Sequence, residues 1–447
     1  MTDRSSLAII LAAGEGTRMR SRTPKVLHQI ADRPMIGHVL DTCKRADVGE
    51  RAVVVGHGAE RVRSAIADFD PQTEIYEQTE RLGTAHAVLA AAPVISEDLH
   101  DIVILYGDVP LVRAETISRL RAGLSAGADI VVLGFHASDP TGYGRLLLEG
   151  DRLVAIREER DATDEERAIS LCNSGMLAVR GAHLMALLSA IGNDNAKGEY
   201  YLTDAIEIAN ARGLTVAVEI TGEDELLGVN DRAQLAAAEA AFQRRMRART
   251  LASGVTLQAP ETVTFSADTE IGADSMVEPN VVFGPGVTLG EGVRVRAFSH
   301  LEGVRIEPDV TVGPYARIRP GTTIASGARI GNFVEVKNAD LGPGAKVNHL
   351  TYIGDASIGA GSNIGAGTIT CNYDGRNKYR TIIGEGSFIG SNSSLVAPVT
   401  IGDQAYVGTG SVITEDVPSG ALAIARGRQV NKPDRSPARA ANKPKAG

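Results

Sequence analysis

Two groups of residues in this chain have the types and spacing to do chemistry. The first follows an apolar run and reads Leu11-Ala12-Ala13-Gly14-Glu15-Gly16-Thr17-Arg18, then Pro24-Lys25. Gly14 and Gly16 would let backbone amides approach phosphates at a helix start, and Arg18 and Lys25 add positive charge nearby. The string is neither a GxGxxG dinucleotide fingerprint nor a Walker loop, because no Gly-Lys-Ser/Thr follows. Gln78, Leu82-Gly83-Thr84-Ala85 and Tyr106-Gly107-Asp108 come next, the last at the end of an apolar run. Open α/β sheets place ligands at such strand ends. The second group is Arg317, Arg319, Lys337, Asn348, His349, Tyr352 and Asn363, which would stack on one face if this region coils.

The elements that must position these residues differ between the halves. In the first, Leu7–Leu11, Ala52–Val55, Ile102–Leu105 and Ile130–Leu133 read as buried parallel strands. Amphipathic segments lie between them, including 34–46 and 59–67, so a parallel α/β sheet with helices on both faces is expected. Residues 231–250 are rich in Ala, Arg and Gln, contain no Gly or Pro, and predict one long helix, read as a linker. In the second half aliphatic residues recur every six positions from Ile306 to Val336. Short steps lead to Leu341 and Ile358, and the series resumes at Ile383 and runs to Ile413. Such a series predicts a three-sided parallel β-helix over about 271–413, with Gly at the corners. The insertion 371–378 should leave that coil as a loop.

Composition agrees with this division. Aromatics are 4% and there are 49 Gly, which suits a solenoid with a thin interior. Net charge is −9, which gives no electrostatic case for binding nucleic acid or an anionic membrane. Cys43, Cys172 and Cys371 are widely spaced and form neither a disulfide framework nor a CxxC metal site, as expected in a reducing cytoplasm. No apolar run approaches the ~20 residues of a membrane span, and the N-terminus does not read as a signal peptide. From Arg428 onward a basic, Pro-rich tail is expected to be disordered.

The string Leu11-Ala12-Ala13-Gly14-x-Gly16-Thr17-Arg18-Met19…Pro24-Lys25, with the later motifs in order, resembles the sugar-phosphate nucleotidyltransferases. That resemblance makes Gln78, Gly83 and Thr84 part of a base-reading loop. It places Leu11, Ala12, Ala13, Gly14, Lys25, Tyr106 and Gly107 around the nucleotide. Asp108 and Asn230 become ligands of Mg²⁺, which takes hard oxygen donors. Gly142, Glu158 and Asn173 match positions that hold the amino sugar. The implied reaction is attack of a sugar 1-phosphate on the α-phosphorus of a nucleoside triphosphate. Positioning and charge neutralisation by Arg18, Lys25 and Mg²⁺ would carry it.

The hexapeptide series resembles the left-handed parallel β-helix family. Asn332-Phe333-Val334-Glu335-Val336-Lys337, Asn348-His349-Leu350-Thr351-Tyr352 and the 364–375 segment narrow the match. With the first half, they resemble the bifunctional bacterial N-acetylglucosamine-1-phosphate uridyltransferase/glucosamine-1-phosphate N-acetyltransferases, over nearly the whole chain apart from the basic tail. By that resemblance His349 is the general base for attack of an amine on acetyl-CoA. Arg319, Lys337, Tyr352 and Asn363 hold the amino-sugar phosphate. Ala366, Asn372, Tyr373, Ser391, Thr409 and Arg426 map onto acetyl-CoA positions. Glu335 is expected to orient His349.

The resemblance thus implies residues 1–232 as a uridyltransferase domain, 233–253 as a linker helix and 254–447 as an acetyltransferase coil ending in the tail. It implies Mg²⁺ as cofactor, with UTP and acetyl-CoA as co-substrates. A cytoplasmic homotrimer with acetyltransferase sites between neighbouring coils is expected, supplying UDP-N-acetylglucosamine for peptidoglycan and the cell wall. Three alternatives stand beside this reading. One is a monofunctional sugar-1-phosphate nucleotidyltransferase with a structural coil, against which His349 with Arg319, Lys337 and Tyr352 argues. A second is a non-enzymatic regulatory subunit, opposed by intact Arg18, Lys25, Asp108 and Asn230. The third is a coil-borne zinc enzyme needing three His, whereas the coil has His300 and His349 alone.

Overall fold

The computed structural model describes residues 5–56, 59–150, 152–195 and 197–433. The 434–447 part of the predicted tail lies outside the described residues, and residues 428–433 are exposed and outside helix or strand. Contacts divide the chain into two compact units, Met1–Met246 and Arg247–Gly447. The division falls inside a single helix, Arg232–Ala252. The first half of that helix is packed into the first unit: Ala238 and Ala241 are buried, and Arg245 donates to the Leu111 carbonyl at 2.6 Å.

The first unit is built on a sheet of β1 (Ser6–Ala12), β2 (Glu50–Gly56), β3 (Glu74–Gln78), β4 (Asp101–Tyr106), β5 (Ile130–His136), β6 (Arg145–Glu149), β7 (Arg152–Arg157), β8 (Leu171–Val179) and β9 (Val216–Ile220). Its order is β9-β5-β8-β4-β1-β2-β3, with the β6–β7 hairpin attached through β8. All four predicted strands are present, and the predicted helices appear as Met35–Arg45 and Glu60–Phe69. The sheet is not wholly parallel, however. β8 runs antiparallel to both β4 and β5. Its register also breaks between Asn173 and Leu177. Both sheet faces are buried, as continuous apolar runs require. Ala8, Ile10, Val103 and Leu105 pack into one core with Val39, Leu40 and Ile117, while Ile9, Leu11, Ile102 and Ile104 pack into another with Val88, Leu187 and Ile206.

The second unit is a parallel β-helix that is longer than the repeat series. Its strands begin at Thr256–Leu257 and end at Leu422–Ala423. Each turn carries three short strands, and neighbouring turns pair in parallel. On the first face Arg329–Asn332, Lys346–His349 and Asn363–Ile364 succeed one another. On the second, Arg317–Ile318 pairs Glu335–Val336, which pairs Tyr352–Ile353. The third carries Thr323–Ile324, Asp340–Leu341 and Ser357–Ile358. Ile318, Val336 and Ile353 are fully buried, so the repeated aliphatic residue does form the interior. Ser362 and Ser387 fill narrow interior positions and donate to Gly384 and Gly402 carbonyls, at 2.6 and 2.8 Å. The small position of the repeat thereby links rungs as well as fitting the space.

Candidate active sites

In the first unit the strand ends converge. The Gly107 amide donates to the Leu11 carbonyl at 2.9 Å, and the Val229 amide donates to the Asp108 carbonyl at 2.9 Å. These bonds bring the β1 loop, the β4 end and the 228–230 segment together. The Lys25 ammonium forms an ion pair with the Asp108 carboxylate and donates to Asn230 Oδ1 at 3.1 Å. A cation therefore already joins two hard-oxygen side chains that are far apart in sequence. Those donors fit Mg²⁺, which takes hard oxygen ligands, and Asp108 and Asn230 would hold it. Among the described residues no three His, Cys, Asp or Glu cluster as a metal site.

A cavity of about 300 Å³ is lined by Leu11, Ala12, Ala13, Gly14, Lys25, Gln78, Gly83, Thr84, Tyr106 and Asp108, with Arg81 and Glu199 among the others. Gly83 is there for space: its φ is 117°, and a Cβ would stand 2.4 Å from the Tyr200 carbonyl. This contact lets the Tyr200 amide donate to the Leu82 carbonyl at 2.7 Å, tying the loop to residue 200. Gln78 is buried, and its amide nitrogen lies 3.2 Å from both the Gly83 carbonyl and His86 Nδ1.

A second cavity, of about 160 Å³, shares Thr84, Tyr106 and Glu199 with the first and adds Glu158, Asn173, Lys197 and Thr203. Burial raises the Glu158 pKa, and the Thr203 hydroxyl, donating at 3.3 Å, partly offsets this. Burial also raises the Tyr106 pKa, helped by the charges of Asp108 and Glu158. Tyr106 thus stays a neutral wall between two cavities. The Asn173 side chain accepts from the Gly175 amide at 3.0 Å, at the register break in β8. Gly142 lies outside the linings of both cavities, at φ 86° with open space around it. Arg18 is exposed on the β1 loop and lines neither. Arg22 lines a neighbouring cavity of about 290 Å³ together with Gly14 and Lys25. Lys197, Glu199, Thr203, Arg22 and Arg81 were not singled out from the sequence, because tertiary contact alone puts them at the cavities.

In the coil the candidate residues fall on two edges. The edge after the first face carries Asn332, His349, Ala366, Ser391 and Thr409 on successive turns. Register pairs Asn332 with His349, and amide-to-carbonyl bonds join Asn392 to Ala366 and Gly410 to Ser391, at 2.7 and 2.8 Å. Arg426 donates to the Thr409 carbonyl at 2.7 Å, extending that line. The edge after the second face carries Arg319 and Lys337. Lys378 returns to this edge from the insertion. It crowds the Lys337 ammonium and lowers that group's pKa, with Arg319 adding to the effect. Lys337 and Lys378, with Arg319 beside them, make a cationic edge whose chemistry suits a phosphate. Lys378 is a further residue whose position the sequence alone does not show.

Tyr352 lies on the second face between the two edges, whereas Asn363 lies on the first face. Glu335 does not take the place expected for it: it accepts from Arg319 at 2.8 Å, and the His349 ring meets Asn332 instead. The insertion is anchored by Asp355, which accepts from Asn338 at 2.6 Å and from Asn372. Burial would raise the Asp355 pKa, but these amide donors and the charges of Lys337 and Lys378 hold it low. Tyr373, on the insertion, is 60% exposed.

Comparison with known proteins agrees with both halves. Residues 8–171 match the MobA-like NTP transferase domain. Residues 268–303, 303–338 and 380–415 match the bacterial transferase hexapeptide of six repeats. The Xanthobacter autotrophicus protein named Bifunctional protein GlmU is 60% identical over 432 residues, covering 97% of this chain and 96% of that one. Proteins of the same name from Azorhizobium caulinodans and Agrobacterium fabrum are 58% and 57% identical, with the same coverage of each chain. The chain belongs to the bifunctional GlmU family. It is a transferase with a nucleotidyltransferase half and a hexapeptide acetyltransferase half, and its coil is the left-handed parallel β-helix of that second group. In this hand the connections between parallel strands depart from the usual right-handed crossover. Among the described residues no helix is long and apolar enough to cross a membrane.

Proposed function

We propose that the chain makes UDP-N-acetylglucosamine in two steps at two separate sites. In the coil, His349 takes a proton as the amine of glucosamine 1-phosphate attacks the acetyl-CoA thioester, and coenzyme A leaves. In the first unit, the phosphate of N-acetylglucosamine 1-phosphate attacks the α-phosphorus of UTP, and pyrophosphate leaves. The observation that carries the reading is the pairing of a cavity of about 300 Å³ lined by Lys25 and Asp108, with Asn230 bonded to that Lys25, with an independent His349 edge on the coil.

The first site works by placement and charge. The nucleophile is already anionic, so no general base is needed. Gly14 and its neighbours would cradle phosphate, Gln78, Gly83 and Thr84 would hold the base, and Glu158 and Asn173 the sugar. Asp108 and Asn230 would hold Mg²⁺, which when bound neutralises charge on the phosphates. Lys25 would then serve the phosphate, its other natural partner. The Arg18 role rests on the family motif, since its side chain is exposed and lines neither cavity.

The second site is proposed to be shared between subunits of a homotrimer. Tyr352 and Asn363 lie on different faces of one prism, and a ligand held by both would straddle the edge between those faces. A neighbouring coil would complete the set. An exposed apolar ladder supports this: Phe298, Tyr315 and Phe333 stack at 5.0 and 5.1 Å beside His349, and Leu350 continues the line. All four have positive φ, a costly conformation for large side chains. Arg319, Lys337 and Lys378 would hold the sugar phosphate, while Ala366, Asn372, Tyr373, Ser391, Thr409 and Arg426 would line the acetyl-CoA path. Residues 1–232, 233–253 and 254–447 remain the proposed functional division, and a cytoplasmic location suits the substrates.

The test supplies glucosamine 1-phosphate, acetyl-CoA, UTP and Mg²⁺ and identifies products by mass. Free coenzyme A, pyrophosphate and UDP-N-acetylglucosamine are expected. Pyrophosphate release without acetyl-CoA consumption would leave the coil as scaffold only.

A further inference from the structure

His349 is an exposed side chain on a rigid backbone. Its carbonyl accepts from the Thr351 hydroxyl at 2.6 Å and from the Gly367 amide at 3.3 Å. The ring makes one hydrogen bond among the described residues, from Nδ1 to Asn332 Oδ1 at 2.8 Å. Asn332 is the residue directly below it in register, and its own carbonyl accepts from the Leu350 amide at 3.1 Å. The rung beneath is pressed close. A Cβ on Gly331 would stand 1.8 Å from the Asn348 carbonyl, so only glycine lets these turns approach. Asn332 is therefore held by its backbone on a part-buried rung, with its amide under the ring. Charged groups near this edge are turned elsewhere: Glu335, across the corner, is paired with Arg319, and Arg329 and Lys346 lie at the other end of the first-face strands.

We infer that Asn332 is a positioning residue for His349, fixing both the ring's orientation and its tautomer. A neutral imidazole carries its proton on one nitrogen and a lone pair on the other. An amide oxygen at Nδ1 selects the Nδ1–H form, which leaves the Nε2 lone pair to accept a proton from the attacking amine. When Nε2 takes that proton, the same amide oxygen continues to accept from Nδ1–H. The partner is neutral, unlike the carboxylate often found behind a catalytic imidazole. It therefore orients the ring through a hydrogen bond alone, with no charge behind the imidazole. This inference rests on His349 being the acetyl-transfer base.

The experiment measures acetyl transfer against pH for the full chain carrying Asn332→Ala or Asn332→Asp, beside His349→Ala. Uridylyl transfer and thermal unfolding serve as fold controls. Asn332→Ala removes the acceptor and should lower kcat by about tenfold or more with KM for glucosamine 1-phosphate within about twofold. Asn332→Asp keeps an acceptor and should recover much of that kcat at high pH. Its charge should also move the acid limb of kcat/KM upward by about one pH unit. Two outcomes overturn the inference: both variants staying within about twofold of wild type, or Asn332→Asp matching Asn332→Ala with the limb unmoved. If His349→Ala itself retains acetyl transfer, the base assignment falls first. If His349→Ala loses it while the Asn332 series stays flat, only the positioning role falls.

Discussion

The two halves of this chain assemble sites in opposite ways. In the first unit, loops from several strand ends close over cavities, and residues as distant as Lys25, Asp108 and Asn230 meet within hydrogen-bond reach. In the coil, residues one turn apart stack in line, and each edge of the prism shows the same few positions repeatedly. A folded α/β sheet can surround a ligand by itself. A straight prism presents faces, and the proposed second site takes its opposite wall from a neighbouring coil. This difference teaches where each half is sensitive: the first to the loss of one converging group, the second to the loss of alignment or of its partner.

The largest expected effect breaks the comparison on the coil side. His349→Ala should lower acetyl transfer by about 10³-fold while uridylyl transfer stays at the wild-type rate. On the other side, Asp108→Ala should lower uridylyl transfer by about 10²- to 10³-fold and spare acetyl transfer. Separate coupled assays for coenzyme A and pyrophosphate read both. Loss of both activities from either change, in a folded protein, would mean the halves do not act independently.

The dependence on a neighbour is tested next. Phe298→Asn with Tyr315→Asn removes two rungs of the apolar ladder and keeps a residue that tolerates positive φ. Sedimentation should show dissociation to monomers, with acetyl transfer down by about 100-fold and uridylyl transfer nearly unchanged. Monomers with full acetyl transfer would place the whole second site on one coil.

The smallest effect concerns the acidic surroundings of the sugar cavity. Burial, then Glu207 and Glu158, push the Asp204 pKa up to about 6 from 3.8. The folded state thus holds the Asp204 proton more tightly than the unfolded state, so stability from this group is lost as pH rises from 3.8 to about 6. Asp204→Asn should stabilise the first unit above that window by on the order of 1 kcal/mol and change little below it. Chemical unfolding at two pH values reads the difference. Equal effects at both would contradict the linkage.

Much of this was legible in the sequence because periodicity and ordered motifs are local signals. Ile318, Val336 and Ile353 mark the coil interior as expected, and Gly14, Lys25, Gln78, Tyr106 and Asp108 do line one cavity. β8 was not read as a strand, because Asn173-Ser174-Gly175 interrupts its apolar run at the register break, so its antiparallel course was missed as well. Asn332, Lys378, Lys197 and Glu199 were missed for another reason. Each matters through a neighbour that only the completed fold supplies. Glu335 was expected to orient His349, but the corner at Phe333 places the two residues on different faces, and Glu335 pairs with Arg319 instead.

The most direct test mixes the two inactive proteins. Neither His349→Ala nor Asp108→Ala should convert glucosamine 1-phosphate, acetyl-CoA and UTP to UDP-N-acetylglucosamine at an appreciable rate alone. The Asp108 variant should release N-acetylglucosamine 1-phosphate, and adding the His349 variant should turn that into the final product. Restored product in the mixture is the result expected of two separate sites joined by a diffusible intermediate. A mixture as inactive as its components would contradict the two-site account.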